Sequence, residues 1–133
     1  MEIIKKITDN GFKTGEKYCQ SYDGYIVETD KQKILVGIDD ESQCCESWGY
    51  VSSIGDDEDF IGAKLIKVEV VDSALDKVKV ELDKESAYDG EAMFVNFETD
   101  RGTFQLAVYN AHNGYYSHGV LVKGFGLDYR EHI

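Results

Sequence analysis

Short β-branched and aromatic segments, separated by turn residues at intervals of about 8 to 12 residues, constrain the fold of this chain most strongly. The chain has no proline and 13 glycines, so its reversals depend on glycine, asparagine and aspartate. This pattern predicts a mainly β domain: an antiparallel curved sheet, a sandwich or a partly closed small barrel, with at most one or two short helices.

Two hairpins are predicted, each from two segments rich in β-branched and aromatic side chains that flank a short turn: 24–29 with 33–38, and 92–99 with 103–109. A last strand is expected over residues 118–124. Short helices or turns are expected at 42–48 and 56–62.

Alternating charged and apolar residues predict two further strands, over 64–71 and 77–82. In the first, adjacent Leu65 and Ile66 leave the register open. In the second, Val78, Val80 and Leu82 would share one face of a strand. With no internal repeat, flexible linker or low-complexity segment identified, we expect one domain over 1–133.

The net charge of the chain argues against two classes of binding function. The 133 residues include 14 Lys+Arg and 26 Asp+Glu, a formal net charge of −12. This balance argues against direct binding to nucleic acid or to an anionic membrane, since both depend on basic side chains placed against phosphates. The apolar runs are shorter than a membrane span, and no signal-peptide pattern is visible at the start, so we expect a cytoplasmic protein.

The adjacent cysteines Cys44 and Cys45 favour free thiols. In an extended strand they point to opposite faces, and no Cys-x-x-Cys zinc spacing occurs. One is expected to be buried and the other to pack near Trp48. The least favoured alternative is a thiol or metal-dependent hydrolase that uses either cysteine with His112 and Glu46.

Asn113-Gly114 predicts a tight hairpin that would pair Asn110 with Ser117 and Tyr109 with His118. Tyrosines at its end suit recognition of a partner, because each has an apolar ring and a hydrogen-bonding tip. They equally suit capping of the core edge.

Acidic residues cluster at 39–41 and 56–59, without the residue order of a calcium-binding EF-hand loop. We expect no metal and no cofactor. Such clusters are commonly solvated loops, but carboxylates in a row can also imitate nucleic-acid phosphates and occupy a basic surface. The predicted partner-binding residues are four acids and an aromatic anchor: Asp56, Asp57, Glu58, Asp59, Tyr115, Tyr116 and His118.

Several segments carry a family resemblance: Cys44-Cys45-Glu46, Asp59-Phe60-Ile61-Gly62, Phe97-Glu98-Thr99 with Gly102, Tyr109-Asn110, and His112-Asn113-Gly114-Tyr115-Tyr116-Ser117-His118. Over about Ile26 to Val122 the chain resembles an uncharacterised family of small proteins found mainly in phages and their bacterial hosts. The resemblance implies a single mostly β domain in a phage or prophage setting, with no established activity.

The favoured function is therefore a non-enzymatic acidic binding protein, in its sharpest form a phage-encoded, anti-CRISPR-like inhibitor that engages a basic surface of a host defence nuclease in the host cytoplasm. The alternative is a domain that sequesters a small molecule or nucleotide, with Trp48 and Tyr109 stacking on a base and Asn110 and His112 bonding its edge. A monomer and a homodimer are both compatible with the sequence.

Overall fold

Antiparallel strands dominate the computed structural model, which describes residues 2–9, 12–13, 21–39, 48–55, 57–84, 91–110 and 119–133. The strands are β1 Glu2–Thr8, β2 Phe12–Lys13, β3 Ser21–Thr29, β4 Lys33–Asp39, β5 Trp48–Ser52, β6 Lys64–Val71, β7 Glu91–Thr99, β8 Gly102–Asn110, β9 Gly119–Gly124 and β10 Leu127–His132. Within these ranges, helix α1 covers Asp76–Lys84, and a 3-10 turn covers Asp57–Asp59.

All the strands belong to one unclosed sheet, in the order β10-β9-β4-β3-β1-β6-β7-β8-β5, with β2 added beside β3. The sheet bends so that β4 lies against β8 and β3 against β5, which gives two layers, β10-β9-β4-β3-β1 and β6-β7-β8-β5. The predicted mainly β, antiparallel fold is confirmed. The layers join at the seam, the pairing of Glu2 and Ile3 in β1 with Leu65 and Lys64 in β6.

The core fills the space between the layers. Phe97 and Phe104 pair directly across β7 and β8, and their rings stack with centroids 4.9 Å apart. Val36 of β4 and Val122 of β9 are fully buried in the same cluster from the other layer. Burial of these side chains is the main favourable contribution to folding.

The hairpins predicted at 24–38 and 92–109 are confirmed, as β3–β4 and β7–β8. The strand predicted at 64–71 is also confirmed, and a bulge between Leu65 and Lys67 resolves its register. Leu65 and Val68 face the core, whereas Ile66 is 47% exposed.

The strand predicted at 77–82 is wrong, because these residues form α1. Val78 and Leu82 are four residues apart, so they share one helical face and are buried against Ala107 and Tyr109 of β8. Val80 lies off that face and is 53% exposed. The spacing of Val78 and Leu82 fits both a strand and a helix, and packing onto β8 selects the helix.

The predicted pairing of Asn110 with Ser117 and of Tyr109 with His118 is also wrong, whereas the Asn113-Gly114 turn itself lies outside the described residues. Tyr109 pairs with Gly49 on one side and Ala92 on the other, and Asn110 pairs likewise with β5 and β7. Since both edges of β8 are occupied, neither residue can pair with residues 117–118. β9 instead lies between β4 and β10.

The predictions for three other segments have different outcomes. The strand expected at 118–124 is β9, which begins at Gly119. It is not the last strand, because β10 follows it. Strand β1 was not predicted. The short helix or turn at 56–62 is confirmed by the 3-10 turn. Residues 42–47 lie outside the described residues, and Trp48 begins β5.

Two aspartates satisfy the outer backbone edges of the seam. The Ile3 N–H donates to Asp30 Oδ1 at 2.9 Å, and the Ile3 carbonyl accepts from the Asp30 N–H at 3.0 Å. At Lys64 the same two bonds run to Asp100, at 2.8 and 3.1 Å. Ile3 and Lys64 therefore face one another as a pair whose own polar backbone groups point outward.

A short repeat underlies this match. Glu28-Thr29-Asp30-Lys31 and Glu98-Thr99-Asp100-Arg101 differ only in their last residue, although no internal repeat was expected. In each, the threonine Oγ1 accepts the N–H two residues on, at 3.1 Å. We call these segments the E-T-D turns. Each turn closes one hairpin and docks it on one strand of the seam.

Glu2 strengthens the first of these turns. Its buried carboxylate accepts from the Thr29 hydroxyl at 2.6 Å and from Gln32 Nε2 at 2.8 and 2.9 Å. Gln32 Oε1 in turn accepts the Phe125 N–H at 2.7 Å. One side-chain network thus links β1, the β3–β4 turn and the β9–β10 turn.

Substitution of two valines on α1 distinguishes the helix from the predicted strand. Val78→Ala is expected to lower the free energy of unfolding by roughly 2 kcal/mol, because it removes two buried methyl groups. Val80→Ala is expected to change it by less than about 0.5 kcal/mol. Urea unfolding of both variants is the measurement. Equal losses would contradict the helical assignment, since a strand places both valines on one face.

Asp30 gives the fold an acid-sensitive contribution. The hydrogen bond from the Ile3 N–H lowers the pKa of Asp30 below its ordinary value of 3.8. A carboxylate whose pKa is lower in the folded state than in the unfolded state stabilises the folded protein. This contribution is fully present above the unfolded pKa and is lost as pH falls through the folded pKa. Wild type should therefore exceed Asp30→Asn in unfolding free energy at neutral pH, and the difference should shrink as pH falls below 3.8.

Urea unfolding across this pH range measures that difference. Asp9→Asn removes one charge from an exposed carboxylate outside the seam and corrects for the change in net charge. A wild-type advantage that grows on acidification would contradict the assigned role of Asp30.

Candidate functional site

The acidic turn at residues 57–59 is fixed to the core by the residue that follows it. Phe60 packs on Phe104 with ring centroids 4.7 Å apart. Glu58 and Asp59, the two residues before it, are exposed. The apolar anchor therefore holds two carboxylates at the surface in a set position.

Arg101, from the second E-T-D turn, holds the same segment through its backbone. Its Nη1 donates to the Ile61 carbonyl at 2.8 Å and to the Asp59 carbonyl at 3.3 Å. Gly62 has φ of +86°, and a Cβ there would lie 3.3 Å from the Arg101 guanidinium, so glycine suits this position. The Gly62 N–H donates to Ile4 O at 2.8 Å, which ties the acidic turn to β1 beside the seam.

Gln105, fully buried on β8, positions two further segments around this turn. Its Nε2 donates to the Ser73 carbonyl at 3.0 Å, and its Oε1 accepts the Leu75 N–H at 2.9 Å, which fixes the chain entering α1. Its backbone N–H donates to Ser53 Oγ at 2.8 Å. A buried amide with satisfied donors and acceptor specifies one arrangement of the groups around it.

A groove lies between these segments. It consists of two clefts of about 310 and 270 Å³ that share Ser53, Gly55 and Lys77. We call it the acidic groove; its remaining lining residues are Ser52, Ile54, Asp59, Phe60, Leu75, Asp76, Val80, Glu81 and Thr103.

The acidic groove combines negative charge with exposed apolar surface. Among the described residues that line it, three are carboxylates, Asp59, Asp76 and Glu81, and one is a lysine, Lys77. Leu75 is 36% exposed and Val80 53% exposed. Such a surface complements one that carries basic and apolar groups together.

Only part of the predicted partner-binding set can be located. Asp59 lines the acidic groove, and Glu58 lies next to it in the turn. Asp57 begins the 3-10 turn, and the structure describes its backbone alone. Asp56, Tyr115, Tyr116 and His118 lie outside the described residues, so the aromatic anchor stays a prediction.

The residues predicted for the alternative ligand site are largely interior. Tyr109 is 5% exposed and packs beneath α1, and Asn110 is fully buried and donates from Nδ2 to Ile133 O at 3.1 Å. Trp48 is half-buried against the core. His112 is outside the described residues, as are Cys44, Cys45 and Glu46 of the thiol hypothesis. A ligand-binding role for this set stays a prediction.

Sequence reasoning missed one wall of the acidic groove: Leu75, Asp76, Val80 and Glu81 come from α1 and the residue before it. Interpreting 77–82 as a strand hid this wall. Two features of the sequence indicate a helix here: the four-residue spacing of Val78 and Leu82, and Asp76 in the first turn.

Within the part of the chain that the structure describes, no helix has the length and apolar character needed to cross a membrane.

Comparison with known proteins gives a single assignment. Residues 2–122 match a domain of unknown function, DUF7448. The match extends from β1 through Val122 of β9, and so includes the seam, both E-T-D turns and the acidic groove. No curated protein and no solved structure shows significant similarity to the chain.

Proposed function

We propose that this chain, which belongs to the DUF7448 family, is a non-enzymatic binding protein that engages a basic surface of a partner protein through the acidic groove. The observation that carries the proposal is the groove's composition, three carboxylates and one lysine around exposed Leu75 and Val80. Carboxylates steer a basic partner into contact, and the apolar side chains supply area to bury once it has docked.

The net charge of the whole chain also supports binding to a basic partner. A net charge of −12 attracts positively charged surfaces at long range and repels nucleic acid. The acidic turn is fixed by Phe60 and Arg101, so its carboxylates need little ordering when a partner binds. Asp56 and Asp57 extend the row of acids along the sequence.

In its finer form, the proposal is a phage-encoded inhibitor of a host defence nuclease that acts in the host cytoplasm. Nucleases carry basic grooves for the phosphates of their substrate, and a row of carboxylates can occupy such a groove in place of phosphate. Tyr115, Tyr116 and His118 are proposed as an aromatic anchor beside the acids, because tyrosines are common binding hot spots.

The proposal is tested by the salt dependence of a defined complex. Affinity purification from the natural host, with wild type and Glu58→Gln with Asp59→Asn as parallel baits, identifies proteins that depend on the acidic turn. The dissociation constant of the purified pair is then measured as salt increases. It should rise steeply for wild type, because charges are screened over about 10 Å at 0.1 M salt. The double variant should bind more weakly and show a shallower slope.

The matched control is Asp9→Asn with Asp128→Asn, which removes two exposed carboxylates from the other layer of the sheet. Its slope and affinity should stay close to those of wild type. Affinity that is independent of salt, or equal weakening by both double variants, would contradict binding through the acidic groove.

A further inference from the structure

A second concavity lies at the end of the sheet opposite the E-T-D turns. It is a cleft of about 630 Å³ between edge strand β10 and the adjoining ends of β6 and β7. We call it the open-end cleft; it is lined by Val70, Val71, Asp72, Ala92, Met93, Val120, Tyr129, Glu131 and Ile133. Among the described residues, none lines both this cleft and the acidic groove.

The floor of the open-end cleft is apolar and firmly held. Met93, Val120 and Ile133 are buried and come from three different strands or their ends. The bond from Asn110 Nδ2 to Ile133 O fixes the end of β10 against β8. The floor therefore offers a preformed surface to an apolar group.

The polar groups of the cleft are acidic. Tyr129, Glu131 and Ile133 alternate along β10, so all three line the cleft. The Tyr129 hydroxyl donates to the Glu131 carboxylate, and this bond, with burial and the Glu131 charge, raises the pKa of Tyr129. In this pair the phenol is the donor and the Glu131 carboxylate is the acceptor.

No lysine or arginine is found among the described residues that line the cleft. Arg130, the basic residue of β10, alternates to the other face of the strand and pairs with Asp128 at 3.4 Å. Asp72 adds a second carboxylate from the end of β6. Glu131 is exposed at the rim of the cleft, and a carboxylate beside an apolar floor and an aromatic ring is complementary to an organic cation.

We propose that the open-end cleft binds a small organic amine, with its ammonium group at Glu131 and Tyr129 and its apolar body on Met93, Val120 and Ile133. The volume of about 630 Å³ is that of a small-molecule site and exceeds what one basic side chain of a partner protein would fill. β10 lies beyond the residues that match DUF7448, and the site is separate from the proposed partner-binding groove.

The test is an NMR titration of the full chain with hexylammonium, with hexanoate as a probe of the same length and opposite charge. Hexylammonium should shift the amide signals of Val120 and Glu131 saturably, with a dissociation constant on the order of 1 mM for so small a ligand. Hexanoate should leave these signals unchanged. Equal shifts with both probes, or no saturable shift with hexylammonium, would overturn the proposal.

Two variants of β10 separate the cleft from general charge attraction. Glu131→Gln should weaken hexylammonium binding about tenfold, because it removes a charge-assisted hydrogen bond. Asp128→Asn removes the same charge from the opposite face of the strand and should leave binding within about twofold. Equal weakening by both variants would overturn the site. Tighter binding of a capped Leu-Lys-Leu peptide than of hexylammonium would overturn the choice of a free amine in favour of a protein side chain.

Discussion

The rest of the structure depends on hydrogen bonds between two aspartates and the backbone of the seam. In the described part of the chain, β1 and β6 pair at two residue positions, and the outer edges of Ile3 and Lys64 are satisfied by Asp30 and Asp100. Both of these bonds lie at the exposed surface, where water would otherwise hydrogen-bond the same backbone groups, so their main effect is to fix each turn in register with its seam strand. The E-T-D turns thus make one sheet of two layers, and they do so in matching fashion because the same tetrapeptide closes both hairpins.

The seam also explains why acidic side chains stand where they do. The segment after the acidic turn bonds to Ile4 of β1, and Arg101 of the second E-T-D turn bonds to the carbonyls of Asp59 and Ile61. On the other side of the acidic groove, buried Gln105 fixes both Ser53 and the entry to α1. Both walls therefore rest on the interior, so the proposed binding surface is held in one geometry before any partner arrives.

Elements whose formation depends mainly on neighbouring residues were predicted from the sequence. The hairpins at 24–38 and 92–109 followed from β-branched segments around short turns, and the acidic turn followed from its composition. Packing decided the rest: Val78 and Leu82 fit a strand or a helix until β8 offers an apolar face. The edges of Tyr109 were taken by β5 and β7, which no short-range signal reveals. The repeated Glu-Thr-Asp was visible in the sequence, but its meaning required both seam strands to be adjacent.

The measurement that tests this account most directly is the NOE between the Hα protons of Ile3 and Lys64 in the full chain. A non-hydrogen-bonded antiparallel pair brings its Cα atoms to about 4.5 Å, with the Hα protons closer still. A strong cross-peak is expected between Ile3 and Lys64, although they lie far apart in the sequence. Absence of that cross-peak in the assigned spectrum of the folded protein would contradict the seam, and with it the fixed position of the acidic groove.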